Sequence, residues 1–205
     1  MFLKKKSNDD AGKLDRQSIV RVSMNLLHEE GIKKLSIRNL AQRLEVKGAS
    51  LYYYIKNKSE LLELVSEEIC KRIEYPSPKD NWETQLLSIA GQFRECMLAV
   101  NDSAHVLSET PPNTPSRIKL IRKINTLFEQ TGMNKEDIFS SSWILNNYIT
   151  SFVIEEYRIR ALMDMERNVP IMDELPFDLE HMNMDREFQF GMEILIEGYK
   201  KKIKE

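Results

Sequence analysis

The fold of this chain is decided by residues 36–58, SIRNLAQRLEVKGASLYYYIKNK. The stretch predicts two short helices joined by a tight turn and followed by the cap of a third helix. Ala41, Val46 and Leu51 fall where two steeply crossing helices need a small residue at the crossing, an apolar residue in the turn and an apolar anchor on the second helix. We therefore expect a helix-turn-helix motif here.

Residues with N-cap chemistry mark where the helices around this motif begin. Asp15 precedes an apolar stripe that predicts a helix over about 15–30, which Gly31 ends. Ser36 is the expected cap of a short helix that runs to about residue 44, and the next short helix is expected over 47–54. Asn57, with Glu60 three residues later, predicts the cap of a third, connecting helix.

The rest of the chain has helical periodicity throughout and no period-two strand pattern, so the predicted fold class is all-α with roughly nine or ten helices. We expect a flexible tail at 1–13, a helix-turn-helix domain at 14–57, and a connector with a larger helical domain at 58–205. A proline-containing loop is predicted over 166–184, and a last helix is predicted from Asp185 onward.

Charge is distributed unevenly along the 205 residues, whose formal net charge is −2. Residues 1–58 carry 13 Lys and Arg against 6 Asp and Glu, whereas residues 59–205 carry 17 against 26. A basic module joined to an acidic body is typical of proteins in which a small head binds nucleic acid. No apolar window is long enough for a membrane span and no secretory signal pattern opens the chain, so we expect a cytoplasmic protein.

The sequence offers little that favours an enzyme. Cys70 and Cys96 each lie in an apolar helical pattern, which predicts buried, reduced thiols rather than a metal site. With only 3 histidines and 7 glycines, the chain shows no catalytic Ser/His/Asp or Cys/His set and no phosphate-binding loop. We expect no cofactor and no metal.

The chain resembles the TetR family of bacterial transcriptional regulators. The strongest match lies in residues 35–62, where LSIRNLAQRLEV and LYYYIKNKSELL look like the three-helix DNA-binding head and the start of the connector helix of that family. A weaker match, to the tetracycline repressor subgroup, rests on Trp82 with Phe93, on residues 110–112, on VIEE at 153–156 and on FGMEILIEGYKKKIK at 190–204.

The resemblance implies which side chains contact DNA. Arg38 falls at a base-reading position, and Tyr52 and Lys58 fall where the DNA backbone is held. Arginine pairs bidentately with guanine and lysine neutralises phosphate, which suits these roles. Alternatively, one of the three consecutive tyrosines packs against the first helix. The expected DNA contacts are Ser36, Ile37, Arg38, Lys47, Gly48, Ala49, Ser50, Tyr52, Tyr53, Tyr54 and Lys58.

Three positions depart from the pattern of the family. Glu45 occupies a turn position that is often glycine, and we expect a right-handed or bridge conformation for it. Gly48 and Ala49 stand where the tetracycline repressors have a glutamine and a proline that contact bases. The operator sequence should therefore differ from theirs.

The resemblance also places an effector site in the helical body. Phe93, Thr110 and Glu155 fall where tetracycline repressors use a phenyl ring, a threonine and a glutamate around drug and magnesium. Leu107 replaces the metal-binding histidine, so neither magnesium nor tetracycline is expected. Alternatively, Glu155 only forms a solvated pair with Arg158 on its own helix. The expected ligand-binding residues are Glu74, Ile89, Phe93, Met97, Leu107, Thr110, Lys123, Ile124, Asn146 and Glu155.

One helix-turn-helix reads only a few base pairs, so the expected partners are a palindromic double-stranded DNA operator and a second copy of the chain. The favoured hypothesis is a homodimeric repressor that a small-molecule effector releases from this operator. The second hypothesis is a DNA-binding protein of the same fold that acts as an architectural factor or answers to a protein partner. An enzyme is the least favoured class.

Overall fold

Nine α-helices form the regular structure of residues 14–164 and 182–204, the part of the chain that our computed structural model describes. No strand occurs within these ranges, and the all-α prediction is confirmed. The tail predicted at 1–13 and most of the loop predicted at 166–184 lie outside the described residues. The helices are α1 (Arg16–Glu30), α2 (Ile37–Arg43), α3 (Gly48–Leu51), α4 (Lys58–Cys70), α5 (Trp82–Leu98), α6 (Ser103–Glu109), α7 (Pro115–Gln130), α8 (Lys135–Asp164) and α9 (Met184–Lys204).

All three N-caps predicted in the head are present. The Ser18 backbone N–H donates to the Asp15 carboxylate at 2.7 Å, and the Asn39 N–H donates to the Ser36 hydroxyl at 3.2 Å. At the start of α4, the Glu60 N–H donates to the Asn57 side-chain oxygen at 2.9 Å. Each cap satisfies a backbone donor that the first helical turn leaves without a partner, which fixes where α1, α2 and α4 begin.

The head is held together by a small apolar core. Six side chains from α1, α2, α3 and their connections are fully buried: Ile19, Leu27, Leu35, Leu40, Leu51 and Ile55. Ala41 is buried at the crossing of α2 and α3, and its carbonyl accepts a hydrogen bond from the Val46 N–H at 3.0 Å. These contacts are those of a helix-turn-helix, and that prediction is confirmed.

Two local details differ from the sequence prediction. Glu45 has a φ of +56°, so the expectation of a right-handed or bridge conformation was wrong. Its N–H donates to the Gln42 carbonyl at 3.2 Å, which closes a turn that glycine adopts more easily. The second helix, α3, ends at Leu51 rather than residue 54, because the N–H groups of Tyr54 and Ile55 both donate to the Leu51 carbonyl.

The body packs around α5, α7 and α8. The ring of Phe128 on α7 is fully buried and contacts the rings of Trp82 on α5 and Tyr199 on α9, with centroid separations of 6.4 Å and 5.0 Å. Helices α8 and α9 approach closely at Gly191, where an added Cβ would lie 2.2 Å from the Tyr148 hydroxyl. Cys70 and Cys96 are buried free thiols, as predicted.

A hydrogen-bonded joint connects the end of α1 in the head to the start of α6 in the body. The Ile32 N–H donates to the Asp102 carboxylate at 2.8 Å, and the Asn101 N–H donates to His28 Nδ1 at 3.3 Å. Gly31 precedes this contact with a φ of +78°, and an added Cβ there would lie 2.6 Å from Asp102 Oδ2. The backbone conformation therefore requires glycine at position 31, and an added Cβ would also displace the Asp102 carboxylate.

We expect Gly31→Ala to destabilise the protein by about 2 kcal/mol, because an L-residue is strained at positive φ and the new methyl group displaces Asp102. Urea denaturation at fixed protein concentration measures the loss. Gly91→Ala on α5 is the matched control, since an added Cβ there meets nothing within 4 Å. Its stability should be unchanged or slightly raised, and equal stability of the two variants would contradict the requirement at position 31.

Candidate nucleic-acid interface and effector site

The outer side of the helix-turn-helix presents basic and aromatic side chains to solvent. Arg38 at the start of α2 and Lys47 at the N-cap of α3 are exposed, and neither has an ion-pair partner within the described residues. Tyr52 and Tyr53 directly after α3 are 57% and 87% exposed. An exposed helix flanked by unpaired cations and aromatic rings suits contact with phosphates and base edges.

The other residues expected to contact DNA divide by exposure. Ala49, Ser50 and Lys58 are exposed, whereas Ser36, Ile37 and Gly48 are half-buried. Arg43, a further cation on α2, lies at 2.5 Å from both Glu29 and Glu30 of α1. These two carboxylates neutralise the charge of Arg43, and the two ion pairs join α2 to α1.

Tyr54 differs from its two neighbours. Its hydroxyl donates to the Leu14 carbonyl at 2.8 Å, 40 residues away, and its ring stands edge-on to that of Tyr53 at 5.2 Å. This contact joins the segment after α3 to the residue before α1. Tyr54 is therefore the one of the three tyrosines that packs inward, as the alternative interpretation of the sequence proposed.

We expect Tyr54→Phe to lower the free energy of unfolding by about 1 kcal/mol, since it removes the hydrogen bond and leaves the Leu14 carbonyl without this donor. Tyr53→Phe removes the hydroxyl of an exposed ring and should leave stability unchanged. Chemical denaturation of both variants provides the comparison. A Tyr53→Phe variant that loses as much stability as Tyr54→Phe would contradict the anchoring role.

Most of the residues expected to bind an effector lie in the core of the body. Six of them, from α5, α6, α7 and the residue after α6, are nearly inaccessible to solvent: Ile89, Phe93, Met97, Leu107, Thr110 and Ile124. Two others are half-buried: Asn146 on α8 and Lys123, whose ammonium donates to Gln85 Oε1 at 2.8 Å. The structure thus brings most of this set to one layer, which is closely packed.

Two expected ligand residues lie at the surface instead. Glu74 is exposed after α4, and Glu155 is exposed on α8, where it pairs with Arg158 one turn further on. The solvated pair that was the alternative for Glu155 is therefore present. The hydroxyl of Thr110 donates to the Val106 carbonyl at 2.8 Å, so its hydrogen bond is made within α6 and its C-terminal end.

The buried charges of the body are residues that sequence reasoning did not select. Glu156 is fully buried, and the guanidinium of Arg94 donates to it at 2.9 Å and 3.0 Å. Arg94 also donates to Asp185 at 2.7 Å, which links α5, α8 and α9. The periodicity of α8 could have predicted that Glu156 is buried. Glu156 follows Leu145, Ile149 and Val153 on the apolar stripe of this helix, whereas Glu155 does not.

An open cleft of about 1010 Å³ lies between α1, α4 and the first turn of α7. None of the expected ligand residues lines it. Its α4 wall carries four carboxylates, those of Glu60, Glu63, Glu67 and Glu68, and its α1 wall carries Arg16 and Arg21. The cleft and the expected effector layer are therefore different places in the molecule.

Within residues 14–164 and 182–204, no group of three or more His, Cys, Asp or Glu side chains is arranged to hold a metal ion. Over the same ranges, none of the helices has the length and apolar character needed to cross a membrane. The candidate sites are thus the exposed face of the head and the buried layer of the body.

These features define a helical DNA-binding protein with a separate body, and comparison with known proteins gives its family. The model of "Bacterial regulatory proteins, tetR family" matches residues 19–65, and that of "Tetracyclin repressor-like, C-terminal domain" matches residues 75–203. The chain belongs to the TetR family, whose members are DNA-binding transcriptional regulators rather than enzymes. The resemblance seen in the sequence is confirmed.

Similar proteins include tetracycline repressors. The class G repressor of Vibrio anguillarum is 26% identical over 200 residues, covering 92% of this chain and 95% of the repressor. The class C repressor of Escherichia coli is 28% identical over 189 residues, covering 91% and 83%. Among solved structures, the TetR family protein ActR of Streptomyces coelicolor in complex with (S)-DNPA has a TM-score of 0.75 and 26% identity, covering 92% of this chain and 98% of ActR.

Proposed function

We propose that this TetR-family regulator is a homodimeric, cytoplasmic repressor that a small-molecule effector releases from a palindromic operator. In this proposal residues 14–57 contact DNA, and residues 58–205 form the connector, the effector site and the dimer interface. The main support for this proposal is the exposed face around α3. Lys47, Tyr52 and Tyr53 are exposed to solvent there, and the buried side chain of Leu51 anchors the helix in the core of the head.

We expect a dimer because one α3 helix contacts only a few base pairs. Two-fold symmetric helix-turn-helix proteins place two recognition helices about 34 Å apart, which matches successive major grooves. The body offers a face for pairing, because α8 and α9 expose five large apolar side chains: Phe139, Trp143, Ile144, Phe190 and Ile194. A face of this kind is unusual on a monomer and typical of an interface between helices.

Release by an effector follows from linkage. Helix α4 connects the head to the body and packs against α1 on one side and against α6 and α7 on the other. A molecule that binds among α5, α6 and α7 and favours another position of α4 changes the separation of the two heads. It therefore weakens operator binding by the difference in its affinity for the two states.

The test is selection of random double-stranded DNA with the purified full chain. We expect enrichment of an inverted repeat, and at least about a tenfold loss of affinity for it in Arg38→Ala or Lys47→Ala. Lys79→Ala changes an exposed lysine of the body and is the matched control, which should bind like the wild type. Failure to enrich an inverted repeat would contradict the dimeric repressor.

A second candidate is a DNA-binding protein of this fold with no small effector. The close packing of Phe93, Met97 and Leu107 favours it, because these side chains fill the layer where an effector is expected. A thermal-shift screen with small molecules distinguishes the two candidates. Stabilisation by a compound that also releases the operator supports the repressor, and a screen without any stabilising compound supports the second candidate.

A further inference from the structure

Arg117 on α7 is a buried cation without a counter-anion. The residue is 5% exposed, and the single hydrogen bond of its guanidinium within the described residues runs from Nη1 to the Leu107 carbonyl at 2.9 Å. No carboxylate of the described ranges lies within 4.0 Å of it. An arginine stays protonated in proteins, so this charge is held in the core without a carboxylate beside it.

The ionisable groups nearest to Arg117 do not neutralise it. Burial raises the pKa of the Cys70 thiol to about 12 although the guanidinium acts in the opposite direction, so the thiol stays neutral. The carboxylate of Glu67 accepts hydrogen bonds from the Ser116 N–H at 2.8 Å and the Ser116 hydroxyl at 2.7 Å instead. Burial also lowers the pKa of Arg117, as expected for a cation that lacks a compensating charge.

Two buried hydroxyls near the same helix contact also lack partners. Ser66 Oγ on α4 and Thr114 Oγ1 at the start of α7 are inaccessible and make no hydrogen bond within the described residues. Ser66 lies one turn before Cys70 on α4, and Thr114 lies three residues before Arg117. Helices α4 and α7 pack together, and Thr114 also lines the open cleft between α1, α4 and α7.

We propose that the effector of this regulator is an organic anion and that Arg117 supplies its counter-charge between α4, α6 and α7. The inference rests on the proposed function, in which an effector binds the body. A carboxylate accepts two parallel hydrogen bonds from a guanidinium, and desolvation strengthens such a pair. Leu107, which now accepts the single bond from Arg117, and the nearby Thr110 belong to the expected ligand set, so the anion enters the layer already assigned to the effector.

The position of Arg117 suggests how a bound anion would affect the DNA-binding head. An anion bound to Arg117 lies against α4, the helix that connects the body to the head. The open cleft between α1 and α4 is lined by four glutamates together with four cations, Arg16, Arg21, Lys71 and Arg72. Arg117 and Leu107 are not among the residues of that cleft.

The experiment compares two ligands that differ only in charge, 2-naphthoate and 2-naphthamide, by isothermal titration calorimetry with the full chain. We expect the carboxylate to bind at least tenfold more tightly than the carboxamide. Titration with sodium chloride at matched ionic strength distinguishes an organic anion from a simple ion. Equal affinity for the two ligands, no binding of the carboxylate, or equal heat from chloride would overturn the proposal.

Variants separate recognition by Arg117 from a merely structural role. Arg117→Met keeps the length of the side chain and removes an uncompensated buried charge, so its thermal stability should be equal to or above that of the wild type while the preference for the carboxylate is lost. Arg122→Met changes an exposed arginine of the same helix and should keep the preference. A preference that survives in Arg117→Met would overturn the assignment.

The outcome is independent of operator binding. An enriched inverted repeat together with equal affinity for both ligands would overturn the anion site alone. A clear preference for the carboxylate without any enriched repeat would contradict the dimeric repressor and support the anion site. The two proposals therefore fail separately.

Discussion

Trp143→Asp is expected to convert the proposed dimer into monomers and to abolish operator binding at concentrations where the wild type is saturated. Trp143 is 63% exposed on α8, one turn after Phe139, which is 71% exposed. The neighbouring helix α9 packs against α8 and exposes two further large apolar side chains, Phe190 and Ile194. A carboxylate on this apolar face is left desolvated and unpaired whenever two copies associate.

The expected size of the effect follows from the residue type. Tryptophans at the centre of helical interfaces contribute about 2 kcal/mol or more each, so the dimer dissociation constant should rise by at least about thirtyfold. Analytical ultracentrifugation over a range of concentrations measures this constant. The change is at an exposed position, so the monomer should remain folded by circular dichroism.

Thr126→Asp is the control for the dimer, because it introduces the same charge at an exposed position of α7. It should sediment like the wild type. A Trp143→Asp variant that remains dimeric would show that the α8 and α9 face is not the interface. A monomeric variant that still binds the full inverted repeat with wild-type affinity would instead contradict the need for pairing.

The elements that the sequence predicted well are those specified by neighbouring residues. Asp15, Ser36 and Asn57 accept hydrogen bonds from N–H groups three residues along the chain, so the helix starts depend only on local sequence. The spacing of apolar residues along the chain likewise predicted which side chains form the core of the head. Glu45 shows the limit, because it has a positive φ and a glutamate side chain does not predict that conformation.

The buried charges escaped sequence reasoning for a different reason. A charged residue is ordinarily assigned to the surface, and its partner determines whether burial is possible. Arg94 and Glu156 are 62 residues apart, and the sequence around either residue does not predict that the other is its ion-pair partner. Resemblance to the family drew attention to Glu155, yet the periodicity of α8 distinguishes the two neighbours, since Glu156 continues the buried stripe.

Glu156→Gln should therefore destabilise the protein strongly, by about 3 kcal/mol. The change leaves Arg94, whose side chain is 9% exposed, without its buried counter-ion and with only the exposed carboxylate of Asp185. Arg94 also lies over the rings of Phe188 and Phe152, at 4.9 Å and 5.6 Å, so its guanidinium is held between α8 and α9. Urea denaturation at constant protein concentration gives the free energy difference.

The adjacent residue provides the control for this prediction. Glu155→Gln removes an exposed carboxylate whose one ion pair among the described residues is with Arg158, and surface pairs contribute little. Its stability should therefore lie within about 0.5 kcal/mol of the wild type. A double variant, Arg94→Met with Glu156→Met, should recover most of the loss, because no unpaired charge remains in the core. If Glu155→Gln and Glu156→Gln lose equal stability, or if the double variant is the least stable of the three, the buried pair does not join α5 to α8 in the way described.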